Sequence, residues 1–223
     1  WSTVQGCYIV NFNSISLLLT GVHFLNNNFQ NHVTVTLRGG DYTFRDNYFG
    51  YDSADTTKIN SDSCVAIISS TGVNFDGNYL TSMKTTNAPI TLSITNSQDI
   101  IATNNWIDGG HSNSLKIDGG SYRVVCRNNR IGITYPATCV PLKLSNVRDV
   151  NVSENIINGL SASANFLNLE SILKRCIVVD NLCNSFTDDT IHGYANASQD
   201  TDVYIKGYGL DLINSSTNMY VSP

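Results

Sequence analysis

Apolar residues return along this chain in a fixed order. Val73-Asn74-Phe75-Asp76-Gly77-Asn78-Tyr79-Leu80 reads apolar, x, apolar, x, x, Asn, x, apolar. The same template fits Val22, Phe24, Asn27, Phe29 and then Tyr42, Phe44, Asn47, Phe49. It recurs as Ile100, Ala102, Asn105, Ile107 and as Val124, Cys126, Asn129, Ile131. Val150, Val152, Asn155, Ile157 and Cys176, Val178, Asn181, Cys183 are two further copies. Val203, Ile205, Tyr208, Leu210 is a degenerate one, with Tyr in place of Asn. The Asn anchors lie 20, 31, 27, 24, 26 and 26 residues apart. Periods in this range mark stacked supersecondary units.

The leading apolar residues of each copy are two apart, which is strand periodicity. A second short strand follows several copies: Val33, Val35, Leu37; Ile90, Leu92, Ile94; Leu115, Ile117; Leu142, Leu144; Leu167, Leu169. One repeat therefore reads as strand, Asn bend, strand and polar return. A single repeat cannot bury its own apolar residues, whereas a stack of them makes a continuous core. At the bend, Asn tolerates left-handed backbone and hydrogen-bonds with its own amide. Stacked in register, these amides can also bond to one another. The predicted fold is all-β: a single-stranded right-handed parallel β-helix, or solenoid, of about eight to nine coils. At about 4.8 Å per coil the rod is roughly 40 Å long.

No linker-like shift of composition divides the chain, so residues 1–223 are read as one domain. Residues 1–20 form an irregular first coil whose run Ile15–Leu19 is too apolar for an exposed end. Residues 194–223, carrying Tyr194, Tyr204, Tyr208 and Tyr220, form a last coil and cap. The chain begins at Trp1, and the expectation is a fragment of a longer protein. The longest repeat has its excess in Gly50 to Ser63, a polar stretch that is either a binding loop or a solvated one.

Composition narrows the function classes. The net charge is −5, which leaves no basic footprint for nucleic acid. No apolar run is long enough for membrane insertion. With 14% charged residues and abundant Asn, Ser and Thr, the surface suits sugar hydroxyls, although solenoids also use these residues simply to turn. Cys126, Cys176 and Cys183 stand in apolar slots, and Cys7 and Cys64 sit beside apolar runs. Reduced core thiols are therefore expected over a disulfide framework, consistent with folding in a reducing cytoplasm.

On the Asn-anchored repeats, from about residue 7 to 213, the chain resembles the pectate-lyase-like superfamily of right-handed parallel β-helices, most of all a bacteriophage tailspike or tail-fibre segment. That resemblance implies a homotrimer in the virion tail or outside the cell that recognises bacterial surface polysaccharide, with or without depolymerising it. A secreted polysaccharide lyase or glycoside hydrolase is a second expectation, and a structural spacer or adhesin without catalysis a third. No cofactor is implied. Outward apolar residues Ile68, Ile101, Val125 and Ile177 would give a trimer its contact.

Candidate chemistry follows from aligning the second strands. Lys116, Lys143 and Asn168 fall in one outward column, and Asp118, Ser145 and Glu170 in the next. Asp118 and Glu170 would be about 9–10 Å apart, close to the carboxylate spacing of inverting glycosidases. Lys116 and Lys143 could hold an acidic sugar; alternatively these are solubilising charges. Asp188-Asp189 followed by His192-Gly193 is similar to pieces of the polygalacturonase signature, but the Asn-Thr-Asp and Arg-x-Lys of that family are absent. The alternative is an Asp-rich turn. No compact acidic cluster marks a metal site. Finally, Tyr48, Tyr79 and Trp106 each follow an anchor Asn. Pointing outward they make a sugar platform; pointing inward they stack in the core.

Overall fold

The computed structural model describes residues 1–10, 14–30, 34–50, 63–82, 90–109, 113–132, 140–158, 167–184, 191–192, 201–206, 210–211 and 219–222. Among them every paired strand is parallel to its neighbour and no helix occurs. Each strand is bonded to the equivalent strand one repeat later, an arrangement compatible with a parallel β-solenoid.

A repeat contains three strands where the apolar pattern had predicted two. Face A is formed by Ile90–Thr95, Leu115–Asp118 and their equivalents, paired as Leu92↔Leu115 and Leu115↔Leu142. Face B holds Gln98–Thr103 and Tyr122–Arg127, with Ile100↔Val124↔Val150 in register. Face C holds Tyr79–Ser82, Trp106–Gly109 and Arg130–Ile131, with Leu80↔Ile107↔Ile131 in register. Ser63–Asp76 and Leu167–Val179 each run through faces A and B. The third strand escaped the pattern because it is short and buries a single apolar residue, which reads as the end of the Asn bend.

The inward positions form one core. Leu92, Ile94, Leu115, Ile117, Leu142 and Leu144 come from face A, Phe44, Phe75, Ile100, Val124 and Cys126 from face B, and Phe49, Leu80, Ile107 and Ile131 from face C. Stacking is visible where these are aromatic: Phe24 lies on Phe44 at 4.5 Å and Phe29 on Phe49 at 4.8 Å between ring centroids. Both values match the spacing of neighbouring strands.

The anchor Asn residues do not themselves adopt the left-handed conformation. The residue before each one does: Asn26, Asp46, Gly77, Asn104, Asn128, Glu154 and Asp180 all have positive φ. The anchor is thereby turned inward and buried. Asn78 Nδ2 donates to Asn105 Oδ1 at 3.0 Å and to the Phe44 carbonyl at 2.9 Å, and its backbone N–H also donates to Asn105 Oδ1. The same set links Asn27 to Asn47, Asn105 to Asn129 and Asn155 to Asn181. A shorter serine ladder, Ser70 to Ser97 to Ser121, supports the bend between faces A and B.

The N-terminal segment is more regular than its sequence implied. Ser2–Gln5 pairs in register with Val22–Leu25, and Tyr8–Val10 with Asn28–Gln30. Cys7 stands at the anchor position, and its N–H donates to Asn27 Oδ1. It interrupts the Asn signal and, unlike buried Cys64, Cys126 and Cys176, it is exposed. None of these four is joined in a disulfide.

Candidate functional site

Two outward surfaces carry the residues singled out from the sequence. On face A, register places Lys116 beside Lys143 and Lys143 beside Asn168, while Ser145 pairs with Glu170. The charges are mutually engaged. Lys116 Nζ lies 2.5 Å from Asp118 Oδ2, and Thr95 Oγ1 donates to Asp118 Oδ1 at 2.6 Å. Lys143 Nζ lies 2.7 Å from Glu170 Oε2, and Asn168 Nδ2 donates to Glu170 Oε1 at 2.8 Å.

This environment bears on proton transfer. The Lys143 contact, with a smaller contribution from Asn168, holds the Glu170 carboxyl below the usual range despite partial burial. A general acid needs the opposite shift. Asp99 and Asp149 are likewise held down, each chiefly by a hydrogen bond from an arginine, Arg123 and Arg175 respectively. Asp188 and Asp189 lie outside the described residues. Among those described, no group of three His, Cys, Asp or Glu side chains could hold a metal ion, and no helix is long and apolar enough to cross a membrane.

Face C is different in kind. The residue after each anchor points outward, because a strand alternates its side chains and the anchor's inward neighbours fix the phase. Register aligns Tyr8, Asn28, Tyr48, Tyr79, Trp106, Arg130, Ile156 and Leu182 in one column. Tyr48 and Tyr79 stack with centroids 5.4 Å apart and planes 11° from parallel. Tyr79 and Trp106 follow at 5.3 Å. Tyr79 is 36% and Trp106 37% exposed. The Tyr48 ring lies over Gly50, where any side chain would collide with it, and its own burial raises the phenol pKa.

Two residues further along each strand runs a second outward column containing Gln30, Gly50, Thr81 and Asp108. Asn158 and Asn184 are paired at the same offset nearer the C-terminus. The half-buried Gln30 and Asp108 thus set an amide and a carboxylate beside the column, while Thr81 is buried. The sequence had left the direction of Tyr48, Tyr79 and Trp106 open, and on this face they are outward.

The place of Arg130 in the aromatic column was not recognised from the sequence. Its guanidinium carbon sits 4.0 Å from the centroid of the Trp106 ring. Extending the anchor-plus-one rule to Asn129 would have found it. A similar arrangement on face B, Arg123 and Arg148 each 4.4 Å from the Tyr122 ring, was also missed.

Structure and register define a class: an all-β stack of parallel strands with an outward aromatic column. Comparison with known proteins gives no finer placement. No family model matches the sequence, and no curated protein matches it. Among solved structures the chain is similar to a trypsin-treated variant of QnrB1, "a plasmid-mediated fluoroquinolone resistance protein", at 12% identity and a TM-score of 0.21, covering 100% of this chain and 92% of that one. A likeness this remote carries no argument about function.

The expected membership in the pectate-lyase-like superfamily, and the likeness to a tailspike or tail-fibre segment, are therefore withdrawn. No family model matches the sequence, so nothing beyond the repeat pattern places the chain there. The physical reason lies in the signal used. A buried Asn ladder answers a need of any stack of parallel strands that bends at a closed corner. It reports an architecture, and many unrelated proteins share architectures.

Proposed function

We propose that this chain binds an extended carbohydrate along face C. The observation that carries the reading is the outward stack Tyr48–Tyr79–Trp106, at 5.4 and 5.3 Å, beside Asp108. Exposed aromatic surface bordered by polar groups is typical of a ligand-binding surface. Ring faces take the apolar faces of pyranose rings, and the adjoining amide and carboxylate groups take the hydroxyls. Nucleic-acid bases would stack equally well, but they require a basic groove, and the net charge of −5 opposes one. The reading takes the whole stack as a right-handed parallel β-helix of about eight to nine coils, so that a polymer can run along it. No cleavage step is assigned.

The test is affinity electrophoresis or calorimetry against a panel of bacterial and plant polysaccharides. Trp106→Ala and Tyr79→Ala should each weaken binding about tenfold or more, in line with 1–3 kcal/mol for an aromatic stacking contact. Variants that bind as tightly as the parent would remove the reading.

Face B favours an additional property, side-by-side association of copies. Ile101, Val125, Asn151, Ile177 and Tyr204 align along its centre, with Ile101, Ile177 and Tyr204 exposed. Bidentate pairs Arg123–Asp99 and Arg127–Glu154 border it on either side. An apolar centre with a polar rim is the anatomy of a protein interface. Light scattering that shows a concentration-independent homotrimer supports it, and a monomer at every concentration rejects it.

A further inference from the structure

We propose that Arg130 is an oxyanion subsite, so that the carbohydrate bound on face C is acidic, bearing a carboxylate or a sulfate ester. The proposal rests on the carbohydrate reading of face C and names the chemical class of its ligand.

Four observations lead to it. Arg130 continues the outward column directly from Trp106, so a polymer lying on Tyr79 and Trp106 reaches it next. It is exposed at the surface. Its guanidinium carbon lies over the indole, 4.0 Å from the ring centroid, so the side chain is already held against the platform. Lastly, Arg130 has no carboxylate partner among the described residues, whereas Arg45, Arg123, Arg127 and Arg175 are paired with Asp76, Asp99, Glu154 and Asp149.

Stacking matters to function here. A free arginine side chain loses rotamer entropy when it binds, while one already held on a ring loses less. Its planar fork then matches a carboxylate or sulfate with two parallel hydrogen bonds. The lysines of face A do not compete for this role, because Lys116 and Lys143 are neutralised by Asp118 and Glu170. Asp108 sits beside the rings as the acidic group of the face, and its Oδ1 accepts the Gly109 N–H at 3.0 Å. It borders the column two residues along from Trp106, where sugar hydroxyls would lie.

The experiment measures affinity of the full chain for matched polysaccharides: one neutral, one containing uronic acid and its carboxyl-reduced form, one sulfated and its desulfated form. Arg130→Gln should weaken binding of the acidic polymers about tenfold or more while changing the neutral one less than about twofold. Arg130→Lys should recover part of the loss. Trp106→Ala should weaken every polymer that binds. Loss on carboxyl reduction identifies a uronate, and loss on desulfation a sulfate. If Arg130→Gln affects neutral and acidic polymers alike, or if the parent chain shows no preference for acid, the subsite is wrong and the carbohydrate face stands. If the parent binds none of the polymers, the carbohydrate reading fails and the subsite with it. Unchanged circular dichroism and melting of both Arg130 variants separates these outcomes from misfolding.

Discussion

Adjacent residues in this chain lead opposite lives. Asn47, Asn78, Asn105, Asn129 and Asn155 are buried, and the anchor is Asn in every repeat from Asn27 to Asn181. The residues that follow them, Tyr48, Tyr79, Trp106, Arg130 and Ile156, face outward and change at almost every step. The inner column is set by one requirement, since each amide must satisfy itself and the backbone of its neighbours. The outer column has no such duty to the fold. Its departure from a uniform polar surface is therefore what the proposed binding face rests on.

Breaking the inner column should have the largest effect. In Asn105→Ala the Asn78 N–H and Nδ2 lose their acceptor, and the Phe75 carbonyl loses its donor. Each group left buried without a partner costs about 1–3 kcal/mol. The variant should lose about 3–5 kcal/mol in chemical denaturation, allowing for partial relaxation. Trp106→Ala, one residue away, should cost less, about 1–2 kcal/mol, because its ring is 37% exposed already. Equal losses in the two variants would dissolve the distinction between the columns.

The inner column was also what the sequence displayed. Seven Asn anchors with inward apolar neighbours were enough to place Val73, Phe75, Leu92, Ile94, Leu115 and Ile117 in a core of stacked strands. The columns Lys116–Lys143 and Ser145–Glu170 followed from the same alignment. Three features did not. Face C was hidden because each of its strands offers one inward residue. The first repeat was obscured by Cys7 in the anchor slot. The direction of Tyr48, Tyr79 and Trp106 was ambiguous because aromatic residues are at home in either place, and Phe44, Phe49 and Phe75 in the same repeats are buried. Side-chain pairing, such as Lys143 with Glu170, is set by geometry on the surface and leaves no sequence signature.

Cysteine sharpens the comparison at intermediate scale. Burial pushes the Cys64 and Cys126 thiols up to about 12, while Cys7 is exposed at the edge of the stack. A disulfide-exchange reagent applied to the native chain should modify Cys7 before either of the other two. The pH dependence has a definite sign. The folded state holds these protons more tightly than the unfolded one, so the associated stability is complete below the unfolded thiol pKa. It declines as pH rises from there toward about 12. By pH 10 the loss should be on the order of 1 kcal/mol per thiol. Cys126→Ala should be less stable at neutral pH yet lose less stability between pH 7 and 10. An unchanged slope would mean that Cys126 is not held away from water.

The smallest effects belong to face A, where outward charges already satisfy one another. Glu170 is kept ionised by Lys143 and Asn168, so its contribution is present above the unfolded carboxylate pKa and fades as pH falls through the lower folded value. Its side chain is 42% exposed, and solvent screening limits the pair to about 0.5 kcal/mol. Glu170→Gln and Asp118→Asn should accordingly shift the denaturation midpoint slightly and leave carbohydrate affinity unchanged, because neither residue belongs to the aromatic column. Incubated with a polysaccharide that the chain binds, the parent and the double variant should release equal numbers of reducing ends. Cleavage by the parent that vanishes in the double variant would make face A a reaction centre after all, with face C as the surface that delivers the polymer to it.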